Sequence, residues 1–158
     1  LTILAIDDVR HLHMLRSRRM GHNALVDVHI QVSPKLSVSE GHHIAEMVEK
    51  TVTNKFEEIN DITVHIDPED DETAASCKDL PIRSEILATL NTVWADHPVL
   101  KNIDDVTLHY LDGHVSVEAC LPLANLQNIE DTSTLQNDFA QTCSTITYIG
   151  DSRLQFYL

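Results

Sequence analysis

The sequence predicts an α+β protein made of two tandem units, each a two-layer sandwich with helices on one face of a small sheet. Three observations carry this. Both halves contain short segments of apolar/polar alternation, the mark of half-buried strands. Both also contain stretches of 3.6-residue apolar periodicity, the mark of amphipathic helices. In each half these elements follow the order helix, strand, strand, helix, strand, which is the ferredoxin-like α-β-β-α-β arrangement duplicated in tandem.

In the first half, Leu1–Asp8 is mostly apolar and reads as the tail of a truncated helix. Two strands follow, Arg10–Arg18 and Ala24–Val32, joined by a turn around Gly21-His22-Asn23. In the second of these, Val26, Val28, Ile30 and Val32 share one face, while Asp27, His29 and Gln31 share the other. Ser37 or Ser39 caps a helix that runs to about Phe56, with Ile44, Met47, Val48, Val52 and Phe56 on one stripe. Strand Ile62–Asp67 repeats the parity: Ile62, Val64 and Ile66 on one side, Thr63, His65 and Asp67 on the other. Pro68 ends it, and the acidic run Asp67–Glu72 with the following Thr-Ala-Ala-Ser reads as a linker. The expected domains are therefore 1–72 and 80–158.

The second half repeats the order. Pro81–Asp96 is amphipathic, with Ile82, Ile86, Leu90, Val93 and Trp94 on one stripe. Asp105–Leu111 and His114–Leu121 form a hairpin across Asp112-Gly113, a strong tight-turn signal. A short helix around Thr134–Cys143 and strand material in Thr145–Leu158 complete the unit. The tetrapeptide Ile-Asp-Asp-Val stands just before a first strand in both halves, at Ile6–Val9 and Ile103–Val106, and reads as a trace of duplication.

Composition narrows the function. A net charge of −14, shared by both halves, opposes nucleic acid or an anionic membrane surface as partner and favours cations. The three cysteines are widely spaced with no CxxC pair, so neither a zinc knuckle nor a disulfide framework is indicated, and a reducing compartment is expected. No apolar run approaches the roughly 20 residues that span a bilayer. A chain starting at Leu1 reads as a piece of something longer.

Six of the ten histidines precede position 44, and several share a face. His29, His65 and Asp67 lie opposite the core-facing parity of their strands. His13 joins them if Leu12 and Met14 point inward. Imidazoles and a carboxylate on one sheet face suit zinc or a neighbouring transition metal. At i and i+2, His65 and Asp67 are spaced to share one ion or to bind two adjacent ones. On the helix, His42 lies off the apolar stripe and completes the shell if the helix start approaches the sheet edge. His43 points elsewhere. Against this stands the plain alternative that histidines on an open sheet face are solvated or serve an oligomer interface.

Four motifs in order, His13–Gly21 (HMLRSRRMG), Val26–Val32 (VDVHIQV), Leu36–Glu49 (LSVSEGHHIAEMVE) and Thr63–Glu69 (TVHIDPE), resemble the cytoplasmic C-terminal domain of cation diffusion facilitator transporters. The resemblance covers about residues 6–70. It implies a ferredoxin-like domain that forms a homodimer and binds divalent metal near the dimer interface. That metal is expected to be zinc, with iron, cobalt, cadmium, nickel or manganese as alternatives. The ligands it implies are His13, His29, His42, His65 and Asp67. It also implies that this domain biases a transmembrane domain of the same full-length protein, which places the chain as the cytoplasmic domain of an integral membrane transporter. The second unit departs from the family pattern: the residues expected to match His29, His65 and Asp67 are Glu118, Tyr148 and Gly150, so a structural role is expected there.

The competing reading is a regulatory domain that binds a small molecule or a protein, with incidental histidines. An enzyme is not expected, since HExxH, GxSxG and glycine-rich phosphate loops are all missing from the sequence.

Overall fold

The computed structural model describes residues 2–70, 72–126 and 132–158; Leu1 of the opening segment and Asp71 of the acidic run lie outside them. The chain divides into two compact units, 1–74 and 75–158, each α+β with the ferredoxin-like order of elements.

The first unit opens with a 3-10 turn, Ile3–Ala5, where the tail of a helix was expected, and Ile3 anchors it by burial. Strands β1 (His11–Met20) and β2 (Asn23–Gln31), helix α1 (Val38–Lys55) and strand β3 (Ile59–Asp67) follow. The sheet order is β1-β2-β3, with β1 antiparallel and β3 parallel to the central β2. Parallel neighbours need a crossover between them, and α1 provides it. The alternation in β2 sends Val26, Val28 and Ile30 into one core with Ile44, Val48 and Val52 of α1 and Ile62 of β3. The buried side of α1 is the single ridge Gly41, Ile44, Val48, Val52. Met47 and Phe56, expected on that stripe, stand 38% and 37% exposed, because a three-stranded sheet offers the helix one ridge's width of apolar surface.

Ser37 is the residue that caps α1. Its Oγ accepts from the Glu40 amide at 3.2 Å, and the Ser37 amide donates to Glu40 Oε2 at 2.8 Å. These contacts satisfy two of the helix's otherwise unpaired amides and hold the Glu40 carboxyl below its ordinary range, chiefly through the Ser37 amide and then its hydroxyl. Ser37→Ala is expected to destabilise the first unit by about 1 kcal/mol, read as a lower urea midpoint at unchanged slope. An unchanged midpoint would contradict the capping role.

The second unit runs α2 (Arg83–Trp94), a 3-10 turn (Leu100–Asn102), β4 (Asp105–Leu111), β5 (His114–Pro122), α3 (Thr132–Ser144) and β6 (Ile149–Tyr157), with sheet order β4-β5-β6. Asp112 and Gly113 have φ of 47° and 72°, the two positive values that a tight two-residue hairpin turn requires. The core joins Ile86, Leu90 and Trp94 of α2 to Val117 and Ala119 of β5 and Phe139 of α3. Ile82, expected on the α2 stripe, is 65% exposed, since it stands at the N-cap, one residue ahead of the helix. Cys143 is fully buried, and burial pushes its thiol up to about 11, so it packs as a small apolar side chain.

The repeated tetrapeptide does not mark equivalent places. Both hairpins turn through two residues, Gly21-His22 and Asp112-Gly113, so Asn23 corresponds to His114. On that register Ile103–Val106 overlaps the start of β4, whereas Ile6–Val9 lies wholly ahead of β1. Strand β1 is longer, and a four-residue match gave no signal of the difference.

Candidate metal centre

The site is a product of strand register. Across β2 and β3, His29 stands beside His65 and Gln31 beside Asp67, all on the face opposite the core. Between β1 and β2, Leu12 opposes Ile30 and Met14 opposes His29, so His13 is one extra residue in β1, a β-bulge. This corrects the expectation that Met14 points inward: Met14 pairs with His29, and beyond the bulge Leu15 is paired with the core residue Val28. The bulge carries both His13 and Met14 towards His29, and His13 reaches across it to β3.

Two imidazoles then converge on one carboxylate oxygen. Asp67 Oδ2 lies 2.9 Å from His29 Nδ1 and 3.2 Å from His13 Nε2. A carboxylate can only accept, so His29 Nδ1 donates to it, while His13 Nε2 meets the same oxygen as an ion-pair contact. The three side chains are 11–19% exposed, shielded but open to an entering ion. The His13 and His29 rings meet edge to face at 5.5 Å, and His65 stacks on His29 at 4.3 Å with 15° between planes.

One ligand atom each from His13, His29 and Asp67 falls within 4.8 Å of the others, the one such group among the described residues. Donors about 2.0–2.1 Å from a tetrahedral zinc sit roughly 3.3 Å apart, so small ring movements would close this set around an ion. To ligate through Nδ1, His29 would carry its ring proton on Nε2.

His42 is not brought to this group. It lies on α1, which packs against the core face of the sheet, and its ring is 74% exposed beside Glu46. His11 went unremarked in the sequence, although it shares parity with His13. It pairs with Gln31, which adjoins Asp67, so the register sets it on the site's own face.

The second unit has no matching ligand set among the described residues. Its register puts Cys120 where His29 stands, Gln155 where His65 stands and Tyr157 where Asp67 stands. This corrects the expected matches Glu118, Tyr148 and Gly150, which the pairing ladders do not place at those positions. Burial, then the carboxylates of Asp105 and Glu118, push the Cys120 thiol up, away from the thiolate a metal would need.

Residues 1–69 match the family described as cation efflux protein, cytoplasmic domain. The resemblance read from the four motifs is borne out: the first unit matches the cytoplasmic domain of the cation efflux, or cation diffusion facilitator, family. This is a transporter family and not an enzyme family. Metal tolerance protein C1 of Arabidopsis thaliana is 29% identical over 141 residues, covering 82% of this chain and 30% of that protein, so the likeness extends into the second unit. Metal tolerance protein 2 of Oryza sativa subsp. japonica is 40% identical over 65 residues, covering 41% of this chain and 17% of that protein. Among solved structures, a MamM CTD in a cadmium form is 26% identical with a TM-score of 0.42, covering 44% of this chain and 86% of that one. The chain spans less than a third of the length of these two plant relatives. No described helix is long and apolar enough to cross a membrane.

Proposed function

We propose that the first unit, residues 1–72, is a metal-binding regulatory domain of a divalent-cation efflux transporter. It binds zinc first among the transition metals, through His13, His29 and Asp67, with His65, whose ring stacks on His29, as a further candidate ligand. It forms a homodimer, and the bound ion biases a transmembrane domain that lies outside this chain, on the cytoplasmic side of the membrane. The unit at 80–158 is a structural companion. The observation that supports this reading is the convergence of two imidazoles from β1 and β2 on the single oxygen Asp67 Oδ2 from β3.

The donor set argues for zinc over magnesium or calcium, which prefer all-oxygen shells. An ion alters the domain only through its different affinity for two arrangements, and drawing acidic protomers together is one such difference. Titration of zinc into the chelator-stripped chain by calorimetry tests the reading, beside His29→Ala. The expected result is a binding event in the parent chain that the variant lacks. At a hundred times its Kd, the ion adds about 2.7 kcal/mol to the folded state. For a unit of this size that corresponds to a melting rise on the order of 10 °C. Equal binding by both proteins, or by neither, would refute the site.

A further inference from the structure

We infer that Met14 decides which ions the sheet site accepts, its thioether opening the site to soft monovalent Cu(I). The inference rests on the reading of His13, His29 and Asp67 as a metal site, and adds a second class of ion to it. Register is the first support. Leu12 opposes the core residue Ile30 and Met14 opposes His29, with His13 between them as the unmatched residue of the bulge. Two consecutive residues of β1 therefore face the single residue His29, one ending in a nitrogen ring and the other in sulfur. Residues directly opposed across an antiparallel pair have Cβ atoms about 4.5–5.5 Å apart, within reach of a flexible, unbranched side chain.

Packing is the second support. Among the described residues, Leu12 packs against the core cluster of the first unit and Met14 does not. Met14 is nonetheless partly buried, whereas every residue of β1 from Leu15 onward is exposed. Its shelter therefore comes from the histidine face of the sheet, and not from the core.

The donors at this face divide by charge and softness. Asp67 offers an anionic oxygen, which offsets a divalent ion and suits zinc. The Met14 thioether is neutral and polarizable, and such sulfur ligands favour Cu(I). A monovalent ion needs less compensation from a carboxylate, and two imidazoles with one sulfur satisfy it. The site then takes zinc through His13, His29 and Asp67, and Cu(I) through His13, His29 and Met14. The two ions share both histidines, so they compete.

The test is magnetic resonance of the full chain with isotope-labelled methionine methyl groups, titrated with Cu(I) without oxygen and, separately, with zinc. The chain has three methionines, and Met14→Leu identifies the Met14 signal. Cu(I) is expected to shift that signal and zinc to leave it nearly in place. Competition with a chromogenic Cu(I) chelator gives the affinity. Met14→Leu should weaken copper binding at this site by at least about tenfold, and zinc binding by less than about threefold. Copper held by Cys77, Cys120 or Cys143 is told apart because it survives both Met14→Leu and His29→Ala. A Met14 signal that Cu(I) does not move, or equal copper affinity with and without Met14, would overturn the inference. Zinc binding that still depends on His29 would then leave the zinc reading standing. Equal losses of zinc and copper in Met14→Leu would also overturn it, since Met14 would not discriminate. A Met14 shift with Cu(I) in a chain that takes up no zinc would uphold the inference and refute the zinc reading.

Discussion

Asp67→Asn lowers the zinc affinity of the sheet site by at least about tenfold to a hundredfold, the range in which even supporting partners of metal ligands act. The substitution keeps the size of the side chain and its place at the end of β3. It removes the one oxygen on which His13 and His29 both converge, at 3.2 and 2.9 Å. An asparagine carbonyl carries no net charge to offset the ion, and its amide half presents protons to rings that need an acceptor. The metal-free fold should barely notice, since the core of the first unit lies on the other face of the sheet. Calorimetry gives the affinity and a melt without metal gives the control. A variant that binds within about threefold of the parent would show that the ion sits elsewhere.

Trp94→Ala destabilises the second unit by about 3–5 kcal/mol, the usual cost of deleting a large buried aromatic. Trp94 is 1% exposed, closes the buried ridge Ile86, Leu90, Trp94, and stacks on Phe139 at 5.5 Å. Its indole nitrogen has no hydrogen-bond partner among the described residues, so the loss is one of packing volume and not of a polar contact. A unit of this size has roughly 4–13 kcal/mol to lose, so the variant should sit near the edge of folding at ambient temperature. Trp94 is the single tryptophan of the chain, and its fluorescence in the parent reports on the second unit alone. Urea unfolding followed by circular dichroism compares parent and variant, and zinc binding by the first unit should survive. A loss below about 1 kcal/mol would mean that the site collapses around the gap far better than its burial implies.

The parts legible in sequence were those where a period meets a single buried face. Alternation in Val26–Ile30 and Ile62–Ile66 revealed which side of the sheet is core, and so placed His29, His65 and Asp67 together on the other. Ser37 or Ser39 announced the start of α1, with the choice settled only by the capping contacts of Ser37, and Asp112-Gly113 announced the second hairpin. What escaped had no local signal. The bulge at His13 depends on how β1 is paired, and nothing in HLHML shows that one residue goes unmatched. The width of the helix stripe depends on how much sheet lies beneath it, so Met47 and Phe56 looked buried. Which residues are equivalent across the two halves depends on how the strands pair, and the alternation alone does not show it.

The pairing scheme of the first sheet also bears on the order in which the chain acquires its shape. β1 and β2 are joined by a two-residue turn and can zip locally, whereas β3 must await closure of the whole α1 crossover before it lies parallel to β2. On this topology His13 and His29 are expected to come together in the early hairpin, with Asp67 arriving with the last strand to dock. Half-folded chains present two imidazoles and no carboxylate. An ion held by all three side chains would thus reward completion over nucleation, slowing unfolding of the finished unit more than it speeds folding of the nascent one.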